Sequence, residues 1–237
     1  MPRRTPVIED DGWQGGAAVP DMYKTVYEGG SGELIEKKSR FIATVRPVHE
    51  EAEALAFIEE MRKKYWDARH NCYAYTVGKN REYTRASDDG EPSQTAGRPM
   101  LDVLLGEDLY DTAVVVTRYF GGILLGTGGL VRAYSGAVQE GLRQCVIIEK
   151  RRGVLLEITT DYNGYGKLQY ITAQNGYAVL DTAFTDNVVM KVLIPSEEEG
   201  AARKAVTEGS NGRAGIEKKG EMYFAKNGAE VLTFEEE

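Results

Sequence analysis

One junction constrains this 237-residue chain more than any other feature. TAVVVTRYF (112–120) is an apolar run of strand type, and LVRAYSGAVQEGLRQC (130–145) repeats Leu130, Val131, Tyr134, Val138 and Leu142 at helical spacing. Between them, five glycines fall within residues 121–129. A central strand that turns through glycines straight into a helix requires a sheet with helices packed on it. The glycines have two readings. They let the helix approach the sheet closely, or they bare the helix N-terminus to an anion.

On the second reading Thr127 caps the helix, and the amides of Gly128, Gly129 and Leu130 point outward. Arg118 at the strand end and Arg132 one turn into the helix would add charge-assisted bonds. The candidate anion or nucleic-acid site is therefore Arg118, Gly121, Gly122, Gly126, Thr127, Gly128, Gly129 and Arg132. The named phosphate loops do not fit. No lysine follows Gly126, so there is no Walker A loop, and Val131 stands where a dinucleotide fingerprint needs its last glycine.

SDDGEPSQTAGRPML (87–101) is a second unusual stretch. Ser87, Asp88, Asp89, Glu91, Thr95 and Arg98 are its candidate site residues, with Ser93 among them in the loop. Clustered carboxylates can hold Mg²⁺ or act as a base, but D-D-G-E-P is also turn chemistry, and turn chemistry is the preferred reading. No metal site is expected. Two His and two Cys would all be needed for one structural zinc, so His49, His70, Cys72 and Cys145 point neither to zinc nor to thiol catalysis.

The remaining pattern reads as two domains. Strands are expected over 23–29 and 33–48, joined by a GGSG turn, then a helix over 49–66, strands at 70–78 and 82–85, and a short helix from Pro99. Lys150, Arg151 and Arg152 mark the expected boundary, so the domains are 22–152 and 153–237, after a loose arm at 1–21. The second domain reads β-α-β-β-α-β, the order of a ferredoxin-like unit, with Ser196 as the cap of its second helix and an acidic tail. Neither VLLEITT nor NVVMKVL carries the aromatic residues of an RNA-recognition strand, and Tyr162, Tyr165 and Tyr170 read as packing residues.

Charge and composition narrow the function. The chain is 42% hydrophobic and carries a net charge of −8. From Gly153 onward there are 8 basic against 14 acidic residues, which leaves the first part near neutral. A phosphate-bearing partner would thus need a local basic site, not a basic surface. Two cysteines give no disulfide framework, no apolar run is long enough for a membrane helix, and no export signal opens the chain. The expectation is a cytoplasmic protein without membrane contact.

In that order, KSRFIATV, DARHNCYAY, SDDGEPSQTAGRPML and RYFGGILLGTGGLVRAY resemble the YigZ/IMPACT family. The resemblance implies an α+β protein. Its first domain would have the ribosomal protein S5 domain 2-like fold, shared with elongation factor G domain IV and the GHMP kinases. Its second would be ferredoxin-like, as in domain V of that elongation factor. Eukaryotic relatives act in translational control and carry an additional RWD domain, which is not expected in this sequence. GTGGL sits where the GHMP kinases hold nucleotide phosphates, with glycine in place of their serines. Three functions remain open. The first is a non-enzymatic protein contacting RNA, ribosome or translation factor, without a cofactor. The second is a phosphate- or nucleotide-binding enzyme using GTGGL with the acidic loop. The third is a protein–protein regulator.

Overall fold

In the first part of the chain, the strand that anchors the fold is β8 (Thr112–Tyr119), buried along seven of its eight residues. The computed structural model describes residues 8–9, 20–228 and 230–234. The chain divides into two compact units, Met1–Ile148 and Glu149–Glu237. Most of the expected arm at 1–21, and the last three residues of the acidic tail, lie outside the described residues. Ile8–Glu9 (β1) is described and pairs with Ala86 and Arg85.

The first unit holds β2 (Met22–Glu28), β3 (Gly30–Glu36), β4 (Ser39–Pro47), α1 (Glu51–Lys64), β5 (His70–Val77), β6 (Tyr83–Ser87), α2 (Gly97–Gly106), β7 (Leu109–Tyr110), β8 and α3 (Thr127–Leu142). Its antiparallel sheet runs β1-β6-β5-β8-β4-β3. Period-two alternation sends Ala113 and Val115 of β8 to one face, where Phe57, Ile58 and Met61 of α1 cover them. Val114 and Val116 go to the other, under Met100 and Leu104 of α2 and Leu130, Tyr134 and Val138 of α3. Burial on both faces is why this strand is continuously apolar.

The expected single strand over 33–48 is two strands. Lys37 and Lys38 take positive φ, 45° and 67°, and turn β3 back onto β4, while Gly30, Ser31 and Gly32 pair within β3 instead of forming a turn. The KRR cluster does not end a strand. It lies inside one 15-residue strand, β9 (Val146–Thr160), within which the two units divide.

The second unit continues with α4 (Tyr162–Gln174), β10 (Ala178–Phe184), β11 (Val188–Pro195), α5 (Glu199–Gly209), β12 (Gly215–Asn227) and β13 (Glu230–Phe234). Its sheet runs β10-β11-β9-β12-β13, antiparallel throughout. The β-α-β-β-α-β order is present, with β13 added at the edge. Leu156, Ile158, Met190 and Val192 pack under Leu168, Ile171, Ala202 and Val206 of the two helices. Ser196 does not cap α5. It opens a single 3₁₀ turn that precedes the helix, and its hydroxyl is buried without a hydrogen-bond partner.

The chain is thus a mixed α+β protein built on two sheets. No helix among the described residues is long and apolar enough to cross a membrane.

Candidate functional site

The two stretches singled out in the sequence come together at α3, but they behave differently. In the acidic loop every carboxylate is occupied. Asp88 accepts the amides of Ala96 and Gly97 on Oδ1, at 2.9 and 2.8 Å, and of Gln94 on Oδ2, at 2.7 Å. It therefore caps α2 from eight residues away and satisfies amides that the helix start leaves open. Gly97 is needed there, because a Cβ would lie 2.7 Å from the Ser87 backbone. Asp89, at φ 41°, accepts the Asn71 amide at 2.7 Å and faces Arg62 at 3.5 Å. Ser87 is buried and accepts the Asp89 amide, and buried Thr95 donates to the Pro92 carbonyl at 2.6 Å. Arg98 is half-buried and paired with Asp102 at 2.8 Å.

Glu91 reaches deepest. Its side chain is 4% exposed, and its Oε1 accepts Nη1 of Arg118 at 2.5 Å and the hydroxyl of Tyr134 at 2.8 Å. The Arg118 guanidinium lies between the rings of Phe41 and Phe120, 5.3 and 5.6 Å from their centroids. This corrects the expectation that Arg118 lines an open anion site. Its side chain is 8% exposed and its charge is answered by Glu91. Cys72 joins the cluster, its Sγ 3.0 Å from the Asp88 carbonyl and 3.3 Å from the Tyr134 hydroxyl. Burial pushes the Cys72 thiol well above its ordinary pKa and does the same to Tyr134. Both stay protonated, so Cys72 offers no thiolate nucleophile.

These oxygens leave little for a metal. Among the described residues no group of three or more His, Cys, Asp or Glu side chains is placed to hold one.

The glycine loop is the opposite case. Its glycines divide by role. A Cβ on Gly121 would run into the Lys38 backbone, so this glycine serves close packing, and its amide donates to Ser39 Oγ at 3.1 Å. Gly122 and Gly126 hold positive φ, 86° and 71°. Gly126, not Thr127, is the N-cap of α3, with its carbonyl accepting the Leu130 amide and no side chain capping the helix. Thr127 and Gly128 are exposed. At Gly128 a Cβ would meet only the Arg132 Nη1, at 3.9 Å. Neither packing nor backbone geometry requires glycine there. Gly129 is tighter, with Leu125 Cβ at 3.1 Å.

Three participants were not visible as such in the sequence. Tyr134 reads as an apolar helical position, yet it joins Glu91 to Cys72. Asn71 is buried and accepts from Thr117 at 2.7 Å. The Lys37–Lys38 turn meets Gly121. In the second unit a pocket of about 310 Å³ is lined by Tyr177, Leu193 and Phe224. The cations on its rim are engaged, Arg151 with Glu149 and Lys226 with the Gly176 carbonyl.

These features define a two-unit α+β protein with a capped acidic loop and a bare glycine-rich helix start. The Impact N-terminal domain matches residues 37–142, and a domain of unknown function, DUF1949, matches 158–213. The chain is 41% identical to IMPACT family member YvyE of Bacillus subtilis over 85% of its length and 93% of that protein. It is 38% identical to IMPACT family member YigZ of Escherichia coli over 68% of the chain and 79% of that protein. A crystal structure of a hypothetical protein, 31% identical, superposes with a TM-score of 0.54 over 83% of this chain and 97% of the other. This chain belongs to the IMPACT family, as a bacterial two-domain member.

Proposed function

We propose that this chain is a non-enzymatic binding protein of the translation apparatus, whose first domain contacts ribosomal or other RNA through the start of α3. The observation that carries the reading is Gly128. A glycine inside a helix costs up to about 1 kcal/mol against alanine, and here no neighbour demands it. Its use is backbone access. A phosphate can approach the amides of the first turn, where the helix dipole favours an anion, with Arg132 alongside. Arg118 supports the loop from beneath through Glu91 and is not itself a contact.

The wider architecture agrees with this use. We read the first unit as a ribosomal protein S5 domain 2-like fold and the second, by strand order, as a ferredoxin-like unit. Both are found among proteins that face RNA, an argument by analogy of fold. The enzymatic alternative is weaker, because Asp88, Asp89 and Glu91, which would hold Mg²⁺ or take a proton, already accept amides, Arg118 and Tyr134.

The test is sedimentation with ribosomes on sucrose gradients at low and moderate salt. Co-migration that weakens with salt is expected, and Arg132→Ala should weaken it further. A protein that stays at the top of the gradient at low salt would overturn the reading.

A further inference from the structure

At one end of the first sheet, exposed aromatic rings lie among exposed cations. β5, β8 and β4 are neighbours, and the pairs His70–Arg118 and Arg40–Tyr119 bring three chain segments to the same edge. Arg69 stands just before β5, Phe120 just after β8, and Lys37 and Lys38 just before β4. Trp66 joins them from the α1–β5 connection, which Asp67 ties to the end of β8 by accepting the Tyr119 hydroxyl at 2.8 Å. The α3 start and Arg132 follow along the glycine loop, which is packed on the Lys38 backbone through Gly121.

What distinguishes this edge is what it leaves uncovered. Trp66 is 81% exposed and Phe120 51%. Lys37, Lys38, Arg69 and Arg132 are exposed, and among the described residues no acid lies within ion-pair distance of them. Several arginines away from this edge are answered, Arg46 by Glu60, Arg62 by Glu59 and Arg81 by Asp108. On a chain with a net charge of −8, four exposed cations and two exposed aromatic rings at one end of a sheet make a locally basic, aromatic edge.

Resting on the RNA-contact reading above, we infer that this edge binds single-stranded nucleic acid, with bases stacked on Trp66 and Phe120 and the backbone followed by Lys37, Lys38, Arg69 and Arg132. The aromatic faces require unstacked bases, which a duplex does not offer. The Phe120 ring is held from behind by the buried Arg118 guanidinium, so the platform is fixed before a base arrives. Adjacent strands are about 4.8 Å apart, so the three segments span about 10 Å, the scale of a short run of nucleotides.

The chain has two tryptophans, so Trp13→Phe leaves Trp66 as the sole indole reporter. That variant is titrated with a uridine 12-mer, a thymidine 12-mer, a duplex RNA of equal length and polyglutamate. Quenching of Trp66 by a single strand is expected, and the two 12-mers separate RNA from DNA as the source. Trp66→Ala and Phe120→Ala, read by anisotropy of labelled 12-mer, should each weaken binding about tenfold. Both positions are exposed, and an unchanged melting temperature verifies folding. Lys37→Ala with Lys38→Ala should flatten the salt dependence by about one and a half in log–log slope.

Ribosome co-sedimentation that persists while neither 12-mer binds, or while Trp66→Ala and Phe120→Ala bind like the parent, would overturn this inference and leave the broader reading standing. Loss of both ribosome and 12-mer binding would overturn both. Duplex binding as tight as the single strands, or polyglutamate binding equally well, would also overturn it, making the edge a general anionic-polymer or acidic-protein surface.

Discussion

The acidic loop and the glycine loop both meet α3, and both look functional in the sequence for the same reason: charge and glycine in a short space. Their chemistry diverges in the structure. Asp88, Asp89 and Glu91 are spent on amides, an arginine and a tyrosine within the protein. The glycine loop and its flanks keep cations and helix amides on the surface. A cluster of charged residues thus says little about function until its partners are known. Satisfied groups hold the fold, and unsatisfied exposed ones are free to meet something else.

The sharpest way to break this contrast is at the buried pair. Arg118→Ala leaves Glu91 buried without its cation and should destabilise the protein by about 3–5 kcal/mol, read by urea unfolding. Paired replacement, Arg118→Met with Glu91→Leu, should recover much of that loss, because neither charge is then stranded. Cys72 reports on the same cluster. Cys145 is half-buried with its thiol pushed up to about 11 by burial, so it is replaced by Ser to isolate Cys72. At pH 8 Cys72 should then react with a thiol reagent only as fast as the cluster opens, and faster in Arg118→Ala. A stable Arg118→Ala variant with an unreactive Cys72 would mean that the pair does not hold this loop.

Asp88→Ala comes next, at about 2–3 kcal/mol, since one carboxylate serves three amides including the start of α2. Asp88→Asn should cost less, because the amide oxygen still accepts but without charge. If both variants melt like the parent, the loop's carboxylates are not structural, and a metal or proton-transfer role for them would have to be reconsidered.

What was legible in the sequence follows from how local each cause is. The helix α1, with Glu51 and Glu53 in its first turn and Arg62, Lys63 and Lys64 in its last, carries its own signature. So does β8, whose burial on both faces writes itself as an apolar run. The β3–β4 turn does not, because its left-handed residues are lysines, where glycine or asparagine would have been the signal. The continuity of β9 is hidden by Lys150, Arg151 and Arg152. Lys150 is nonetheless buried, its ammonium 4.1 Å from the centroid of the Phe234 ring.

At the site, the glycines, the Asp-rich turn and Arg132 were all identifiable in the sequence. The partnership of Arg118 was not. Glu91 lies 27 residues earlier and Tyr134 a further 16 beyond Arg118 in the chain, and only the closed sheet brings them together. Trp66 carries no site signal in the sequence, because its 81% exposure is a property of the folded chain alone.

The smallest expected effect sharpens the comparison most, because it separates stability from function at a single atom. Gly128→Ala adds one methyl group at a position where the nearest atom is the end of a flexible arginine, 3.9 Å away. Alanine favours the helix by up to about 1 kcal/mol, so the variant should be as stable as the parent or slightly more so by thermal melting. If phosphate approaches the first turn of α3, the same methyl group stands in its way, and ribosome co-sedimentation should fall. The same substitution at Gly121 would collide with the Lys38 backbone and lose stability instead. A Gly128→Ala protein that gains stability and keeps full binding would remove the argument from backbone access, leaving Arg132 and the aromatic edge to carry the contact alone.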